Sequence, residues 1–359
     1  MKFSCNVAVL KSALDIVGRT IDSRPFNTML LNVKMVLTED SLLVTGSDLK
    51  TAIATKIPVE SSDSGEFCIP YDFLKQVVSK IDRNQEISLD IDDEFNVLIK
   101  WSKGKFQYKA IAADDFPEFP EIESDRAYTL PESVIEHLRF ASRYASKDET
   151  KQVLTGVNVS IADNILHAIA TDGKRLGYSS GELKSDDFMV TIPGSAVAIL
   201  KVAADGNIEF KFDDSQILFI TGDTRIAARI PSGQYPDALR LIPAEFKHEI
   251  TMNGSELKAA LDRVAITCGD TRNVALQFGE GVLAKVESFS CSGDTGSASE
   301  EVVASIIDEP FRIAIHHPYL VSALPDGEFT LHVNQPNTPA VVKDGDRLVL
   351  IMPVQIRDY

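Results

Sequence analysis

The sequence predicts an α+β protein built from three copies of one domain, each with two helices packed on antiparallel sheet. Three observations in register carry this. Leu10, Leu14 and Val17 keep a helical spacing that returns as Val134, Leu138, Ala141 and as Leu257, Leu261, Val264. Ile69, Leu74 and Val77 return as Ile192, Val197, Leu200 and as Ile315, Leu320, Ala323. The alternating Ile87, Leu89, Ile91 returns as Ile208, Phe210, Phe212 and as Phe329, Leu331, Val333. The offsets between copies run from 121 to 124 residues. Helical and strand periods recurring in one order at one spacing mark a repeated domain.

In the first copy, a helix is expected over 7–20, with Leu10, Ala13, Leu14 and Val17 as its apolar stripe. Strands follow around 42–44 and 52–54. Ile69-Pro70 leads into a second helix that should bury Phe73, Leu74, Val77, Val78 and Ile81. Strands at 87–91, 97–101 and 106–111 complete the copy. The second copy opens at Tyr128-Thr129-Leu130 and the third at Ile250-Thr251-Met252. Asp205-Gly206-Asn207, Asp326-Gly327 and Asp344-Gly345-Asp346 read as hairpin turns. An aromatic-Pro-acid segment ends the first two copies, at 114–120 and at 234–243. The domains are therefore placed at 1–121, 122–245 and 246–359. Helices on one sheet face leave the other face solvated or paired. A row of such units joined at sheet edges has an open edge at each end, which invites head-to-tail association.

A length of 359 residues suits three domains of roughly 120. Hydrophobic content of 44% and charged content of 25% are ordinary for a globular protein. No apolar run approaches the ~18 residues of a membrane helix, and no apolar signal core follows Met1, so a cytoplasmic protein without membrane contact is expected. Cys5, Cys68, Cys268 and Cys291 form no CxxC pair and are expected to be reduced thiols. The sequence holds no phosphate-binding loop, no GxGxxG, no HExxH and no GxSxG. No catalytic residue, cofactor or metal is expected. His316-His317 reads as a strand-to-helix turn with a packing role. Asp90, Asp92, Asp93 and Glu94 read as a solvated hairpin end, and Gly293-Asp294-Thr295-Gly296-Ser297 as a flexible loop.

The net charge of −17 argues against nucleic-acid binding over the whole surface, but not against a local basic face. The expected helical segments carry Lys11, Arg19, Lys75, Lys80, Arg83, Arg139, Arg143, Lys147, Lys151, Lys201, Lys258 and Arg263. Set side by side, such helices would offer phosphates a shared basic surface without base reading. Contacts of that kind give a Kd of roughly 10⁻⁴ to 10⁻⁶ M, too weak to retain a protein on DNA unless a closed ring holds it by topology.

Several segments resemble the bacterial DNA polymerase III β subunit family, the sliding clamps. These are Ala170-Thr171-Asp172-Gly173-Lys174-Arg175-Leu176; Tyr235-Pro236-Asp237 with Arg240, Leu241, Ile242 and Pro243; Thr45-Gly46-Ser47-Asp48-Leu49; Ala113-Asp114-Asp115-Phe116-Pro117; and Ile351-Met352-Pro353. Together they span the chain in order. The resemblance implies three DNA-clamp domains per subunit and a homodimer closed head to tail into a ring around double-stranded DNA, with helices inside. It implies no catalysis, and partners that include the DNA polymerase III catalytic subunit, the clamp loader and other proteins carrying clamp-binding motifs. Their peptides would dock between the second and third domains, on Leu154, Thr171, Gly173, Lys174, Arg175, Leu176, Pro236, Arg240, Leu241, Ile351, Met352 and Pro353. Arg24 would join Lys11, Arg19, Lys80, Arg139, Arg143, Lys147, Lys151, Lys201, Lys258 and Arg263 in facing DNA. Phe106 and Ile266 would lie at the dimer contact. Lys174 departs from the family's usual histidine, Thr267 from an apolar interface residue, and Gln355 with the 356–359 tail from its short end. A monomeric three-domain scaffold and an unrecognised hydrolase are the competing readings.

Overall fold

The computed structural model describes residues 1–61, 63–124, 126–204, 206–279, 281–289, 296–305 and 309–355. Asp205, Cys291, Gly293, Asp294, Thr295 and the 356–359 tail lie outside the described residues. One order of elements occurs three times: strand, helix, four strands, helix, three strands. The first copy is β1 (Lys2–Asn6), α1 (Val7–Val17), β2 (Asn32–Leu37), β3 (Ser41–Ser47), β4 (Thr51–Pro58), the extra two-residue β5 (Glu60–Ser61), β6 (Gly65–Pro70), α2 (Tyr71–Lys80), β7 (Glu86–Ile91), β8 (Asn96–Trp101) and β9 (Gly104–Lys109). The second is β10 (Ala127–Leu130), α3 (Val134–Ser142), β11 (Gly156–Ala162), β12 (Ile165–Thr171), β13 (Arg175–Glu182), β14 (Phe188–Pro193), α4 (Gly194–Ala203), β15 (Ile208–Phe212), β16 (Gln216–Thr221) and β17 (Thr224–Arg229). The third is β18 (His248–Asn253), α5 (Gly254–Val264), β19 (Asn273–Phe278), β20 (Leu283–Ser288), β21 (Ser299–Val303), β22 (Phe311–His316), α6 (His317–Ala323), β23 (Glu328–Val333), β24 (Ala340–Asp344) and β25 (Arg347–Ile351).

Local chemistry sets the helix starts. The Asn6 side chain accepts from Ala8 N at α1 (2.8 Å), and Asn253 accepts from Glu256 N at α5 (3.1 Å). Each satisfies an amide that the first turn leaves without a partner. α2 and α4 instead follow a strand ending in proline, Pro70 or Pro193, without a side-chain cap. α1 buries Val7, Leu10, Ala13, Leu14 and Val17, and α5 buries Leu257, Ala260, Leu261 and Val264. Each such large aliphatic side chain contributes about 1.5–3 kcal/mol by leaving water.

Every copy supplies two four-stranded sheets, and copies join where two such sheets share an edge. The strand orders are β5-β1-β7-β8-β9, β10-β15-β16-β17-β4-β3-β2-β6, β14-β11-β12-β13-β25-β24-β23-β18 and β21-β20-β19-β22. The last strand of a copy therefore pairs with the fourth strand of the copy before it: β17 with β4, and β25 with β13. Among the described residues, β9 and β21 have no strand paired on their outer edges. Contacts divide the chain into two compact units, residues 1–136 with 192–231 and residues 137–191 with 232–359. The division falls inside the second copy because each eight-stranded sheet is continuous through its joint.

Several local expectations change. Only Asp344-Gly345-Asp346 closes a hairpin, between β24 and β25; Gly206-Asn207 and Asp326-Gly327 turn from a helix into a strand. Both settings need a tight turn, and the dipeptide does not distinguish them. Phe73 is half-buried, stacked on Tyr108 with ring centroids 3.8 Å apart, and Ile81 is buried just past the end of α2. α3 stops at Ser142, so Arg143, Lys147 and Lys151 follow the helix instead of lying on it; Arg19 and Arg83 likewise lie beyond α1 and α2. The acidic run does form the β7–β8 turn, where Asp92 Oδ1 accepts from Glu94 N (3.0 Å) and Asn96 N (2.8 Å). Cys5, Cys68 and Cys268 are free and buried.

Candidate partner-binding site

The β13–β25 joint gathers most of the residues assigned to a peptide pocket. Thr171 ends β12, Asp172-Gly173-Lys174 make the turn, and Arg175 and Leu176 open β13. Arg175 lies opposite Ile351, and Leu176 opposite Leu350. Beyond the strand, Met352 N donates to Lys174 O at 2.9 Å, which pins Met352 and Pro353 beside the turn. Asp172 organises that turn. Its Oδ1 accepts from Lys174 N and Arg175 N, both at 2.9 Å, and its Oδ2 from Arg175 Nε at 3.0 Å. Thr171 Oγ1 accepts from Gly173 N (3.0 Å) and donates to Arg175 O (2.7 Å). Gly173 has φ +87°, the left-handed region that glycine enters without strain.

Arg175 is held in place by neighbours from α6 and from the segment after α3. Its Cζ lies 4.8 Å from the Tyr319 ring centroid and 5.4 Å from that of Tyr144, and its Nη1 donates to Ser322 Oγ at 3.0 Å. The Tyr144 hydroxyl donates to Ser322 O at 3.1 Å, and burial pushes its phenol up to about 12. A guanidinium stacked on aromatic faces and hydrogen-bonded at both ends gives the site a fixed cation.

The far wall is the 3₁₀ turn Ala238–Leu241 and the residues before it. Thr171 N donates to Tyr235 Oη at 3.0 Å, and burial pushes the Tyr235 phenol up to about 12. Tyr235, Ala238 and Ile242 pack with Ile169, Leu176, Leu348 and Leu350. Pro236, Arg240 and Leu241 remain exposed above that floor, with Arg240 Nε 2.6 Å from Asp237 Oδ2. Leu241 is 58% exposed and Met352 43% exposed, whereas Leu176 and Ile351 are buried. The surface thus offers two large apolar side chains on a rigid base. Leu154 is half-buried in the 3₁₀ segment Glu149–Thr155, its carbonyl accepting from Ser146 N at 2.8 Å. Its neighbour Val153 borders Gly233, on the loop that leads to Tyr235.

Lys174 is exposed, and its charge reaches His316. Burial, then Lys174, His317, Arg272 and Arg175, hold His316 below the usual imidazole range. Its ring meets Tyr319 edge-on at 4.4 Å. His317 Nε2 lies 2.9 Å from Asp262 Oδ1, so the histidine pair packs at the start of α6, as expected.

The basic residues divide by their company. Lys11 Nζ is 2.7 Å from Asp15, Lys258 Nζ is 2.7 Å from Asp326, and Arg263 pairs with Glu300, its Nε donating at 2.9 Å. Arg19, Arg24, Lys80, Arg143, Lys147, Lys151 and Lys201 are exposed. Arg139 lies half-buried on α3. Phe106 lies on the edge strand β9, 44% exposed and stacked on Trp101 at 5.4 Å; Ile266, after α5, is 82% exposed. Thr267 Oγ1 turns back to Val264 O at 3.1 Å. Among the described residues no group of His, Cys, Asp and Glu is set to hold a metal, and no helix is long and apolar enough to cross a membrane.

Sequence reasoning missed the residues that fix Arg175: Asp172, Tyr144, Tyr319 and Ser322. Asp172 had a local signal, an acid three residues before an arginine in a turn. The other three come from α6 and the segment after α3, and no local pattern ties them to Arg175.

Three successive models of the DNA polymerase III beta subunit match the chain: the N-terminal domain over residues 1–120, the central domain over 129–237 and the C-terminal domain over 239–353. The beta sliding clamp of Synechococcus elongatus is 31% identical over 375 residues, covering 99% of this chain and 100% of that protein. The beta sliding clamp of Bacillus subtilis is 27% identical over 340 residues, with 90% of each covered. The crystal structure of the DNA polymerase sliding clamp from Bacillus subtilis superposes with a TM-score of 0.91 at 26% identity, covering 99% of this chain and 100% of that one. The three-domain clamp fold is therefore this chain's fold. These names describe a clamp, and the expectation of a non-enzymatic protein stands with them. The chain belongs to the DNA polymerase III beta subunit family.

Proposed function

We propose that this protein is a DNA sliding clamp of the cell interior: two copies joined head to tail enclose duplex DNA and tether proteins that act on it. The observation that carries this is the match of three successive clamp domains along the whole chain. The domains are taken as 1–121, 122–245 and 246–359. The exposed cations Arg19, Arg24, Lys80, Arg143, Lys147, Lys151 and Lys201 face phosphates, joined more weakly by Lys11, Lys258 and Arg263, whose charges are already paired. Arg139 adds to them. The β13–β25 joint takes the docking peptides of the polymerase III catalytic subunit, the clamp loader and other partners. Leu241 and Met352 meet their apolar anchors, and Lys174 and Arg175 meet their acidic groups.

Strand order supports the dimer and suggests a register for it. Thr55 lies opposite Thr224 at one joint and Ser179 opposite Arg347 at the other. Gly104 on β9 matches Thr224 and Arg347, each the first residue after its hairpin turn. Glu300 on β21 matches Thr55 and Ser179 through the pairings within each copy. β21 of one copy then pairs with β9 of the next, Glu300 opposite Gly104 and Ala298 opposite Phe106. Directly opposed residues have Cα atoms about 4.5–5.5 Å apart, within disulfide reach.

The decisive test is long-product synthesis by the cognate polymerase with its loader and ATP. Strong stimulation is expected; none, with a loader proven active, rejects the clamp. The native mass should be twice 39.4 kDa. The double variant Lys105→Cys with Ser299→Cys should crosslink into covalent dimers on mild oxidation, and failure in a proven dimer rejects the register.

A further inference from the structure

We infer that the loop of residues 21–27 binds unpaired nucleic-acid bases, with the Phe26 ring as the platform on which a base stacks. This deepens the clamp reading, since it rests on Arg24 facing DNA, but it names a ligand that duplex binding does not require. Phe26 is the most exposed large apolar side chain among the described residues, at 104% of its accessibility in a free peptide. The segment that carries it is fixed at both ends. Thr20 is buried, its Oγ1 donating to Val17 O at 2.9 Å, and Ile21 N donates to Gly18 O at 3.3 Å. Asp22 Oδ1 accepts from Arg24 N at 3.0 Å. On the far side, Asn27 Oδ1 accepts from Met29 N at 2.9 Å and caps the 3₁₀ turn Thr28–Leu31. Leu30 is buried, and Met29 packs on Cys68, Ala113 and Phe116. The chain thus holds a phenyl ring in solvent between two anchored turns, forgoing what its burial would contribute.

The surroundings of the ring select the occupant. Arg19 and Arg24 are exposed, and among the described residues neither is in an ion pair. Asp22 is the one carboxylate in residues 19–31, so two arginines against one aspartate leave this stretch a surplus of one positive charge. That is a modest attraction for phosphate, and the ring must supply the selectivity. Ser23, Arg24, Asn27 and Thr28 beside it are exposed and polar. A protein partner anchored on a phenylalanine needs an apolar collar that excludes water, and this segment offers none. A nucleobase needs only the flat face. Its polar edge meets Ser23, Asn27 and Thr28, and its phosphate meets Arg24. In a duplex each base face is covered by its neighbours, and freeing one costs unstacking. The ring therefore favours single strands, and stacking tolerates any base.

The test is fluorescence anisotropy of a labelled oligothymidine and of a labelled duplex of the same length, with the full-length protein at fixed low salt. Phe26→Ala should weaken the single strand about tenfold and leave the duplex within about twofold. Phe26→Tyr, which keeps a ring, should restore single-strand binding. Phe26→Leu, which keeps only bulk, should lose it as Phe26→Ala does. Arg24→Gln should weaken both ligands, and all four variants should melt with the wild type. Equal losses on strand and duplex in Phe26→Ala overturn the inference in favour of a phosphate surface. Full single-strand binding by Phe26→Leu overturns it in favour of a plain apolar contact. Full binding by Phe26→Ala, or no measurable binding of the single strand to the wild type, rejects it outright. The clamp reading stands or falls separately. Normal stimulation of long-product synthesis with any of these failures keeps the clamp and removes the stacking site. No stimulation, with the expected Phe26 pattern intact, does the reverse.

Discussion

The β4–β17 and β13–β25 joints share a backbone and differ in nearly every side chain that matters. In both, an aspartate closes the turn, and the residue after the partner strand's paired stretch donates to the carbonyl of the turn's last residue. At β13–β25 the paired residues are Arg175, Leu176, Leu350 and Ile351; at β4–β17 they are Thr51, Ala52, Ala227 and Ala228. The exposed residue that follows is Met352 in one and Arg229 in the other. Hydrogen bonding between main chains thus makes the joint, and side-chain volume and charge decide what the joint receives.

The largest effect should come from removing volume where only one joint has it. Leu176→Ala or Leu350→Ala should each cost about 2–5 kcal/mol, the usual loss for a buried leucine whose site cannot collapse. Ala227→Leu should cost about 1–3 kcal/mol by overpacking the other joint. Unfolding of the full chain by urea, followed at each unit by hydrogen exchange, reads both. If the leucine and alanine joints prove equally tolerant, side-chain packing does not distinguish them.

Next comes charge at the exposed position. Met352→Arg gives the proposed peptide site the cation of the other joint and should weaken a peptide with aliphatic and aromatic anchors by about 2 kcal/mol, roughly thirtyfold. Arg229→Met should leave that affinity alone. Titration calorimetry checks both; an unaltered affinity in Met352→Arg removes Met352 from the site.

A smaller change is expected at the fixed cation. Arg175→Lys keeps the charge but loses the stack between Tyr144 and Tyr319 and the bond to Ser322. It should cost about 1 kcal/mol in melting stability or peptide affinity. Thr51→Ser at the matching position should cost less than that.

The smallest effect is a pH dependence. His316 is held below its ordinary value by burial and by the cations around it. The unfolded chain therefore binds this proton more readily than the folded one. The stability tied to the neutral ring is fully present above the ordinary imidazole value, about 6.5. It is lost as pH falls through the lowered folded value. His316→Gln should remove its share of the decline in melting temperature below neutral pH; an identical decline in the variant assigns that slope to other groups, such as His332 and His167.

Much of the fold was legible because its signals are local. The helical spacing of Leu257 and Leu261 and the alternation of Phe329, Leu331 and Val333 follow from which side of one element meets the core. Other signals were local but ambiguous. Asp326-Gly327 serves a helix-to-strand turn as readily as a hairpin, and basic residues continue past Ser142 although the helix does not. The turn residues 171–176 could be read as a motif, whereas the rigidity of Arg175 could not, because Tyr144, Ser322 and Tyr319 reach it from distant parts of the chain.

By itself, the sequence determined the threefold repeat, the order of elements within a copy and the apolar face of each helix, since short-range periodicity encodes all three. Only the tertiary structure decided which strand edges meet, why the compact units cut across the second copy, and which joint exposes Met352 and which Arg229. The pairing rests on main-chain hydrogen bonds between strands far apart in the chain, which nearly every residue can make, and the character of each joint rests on which side chains that pairing brings together.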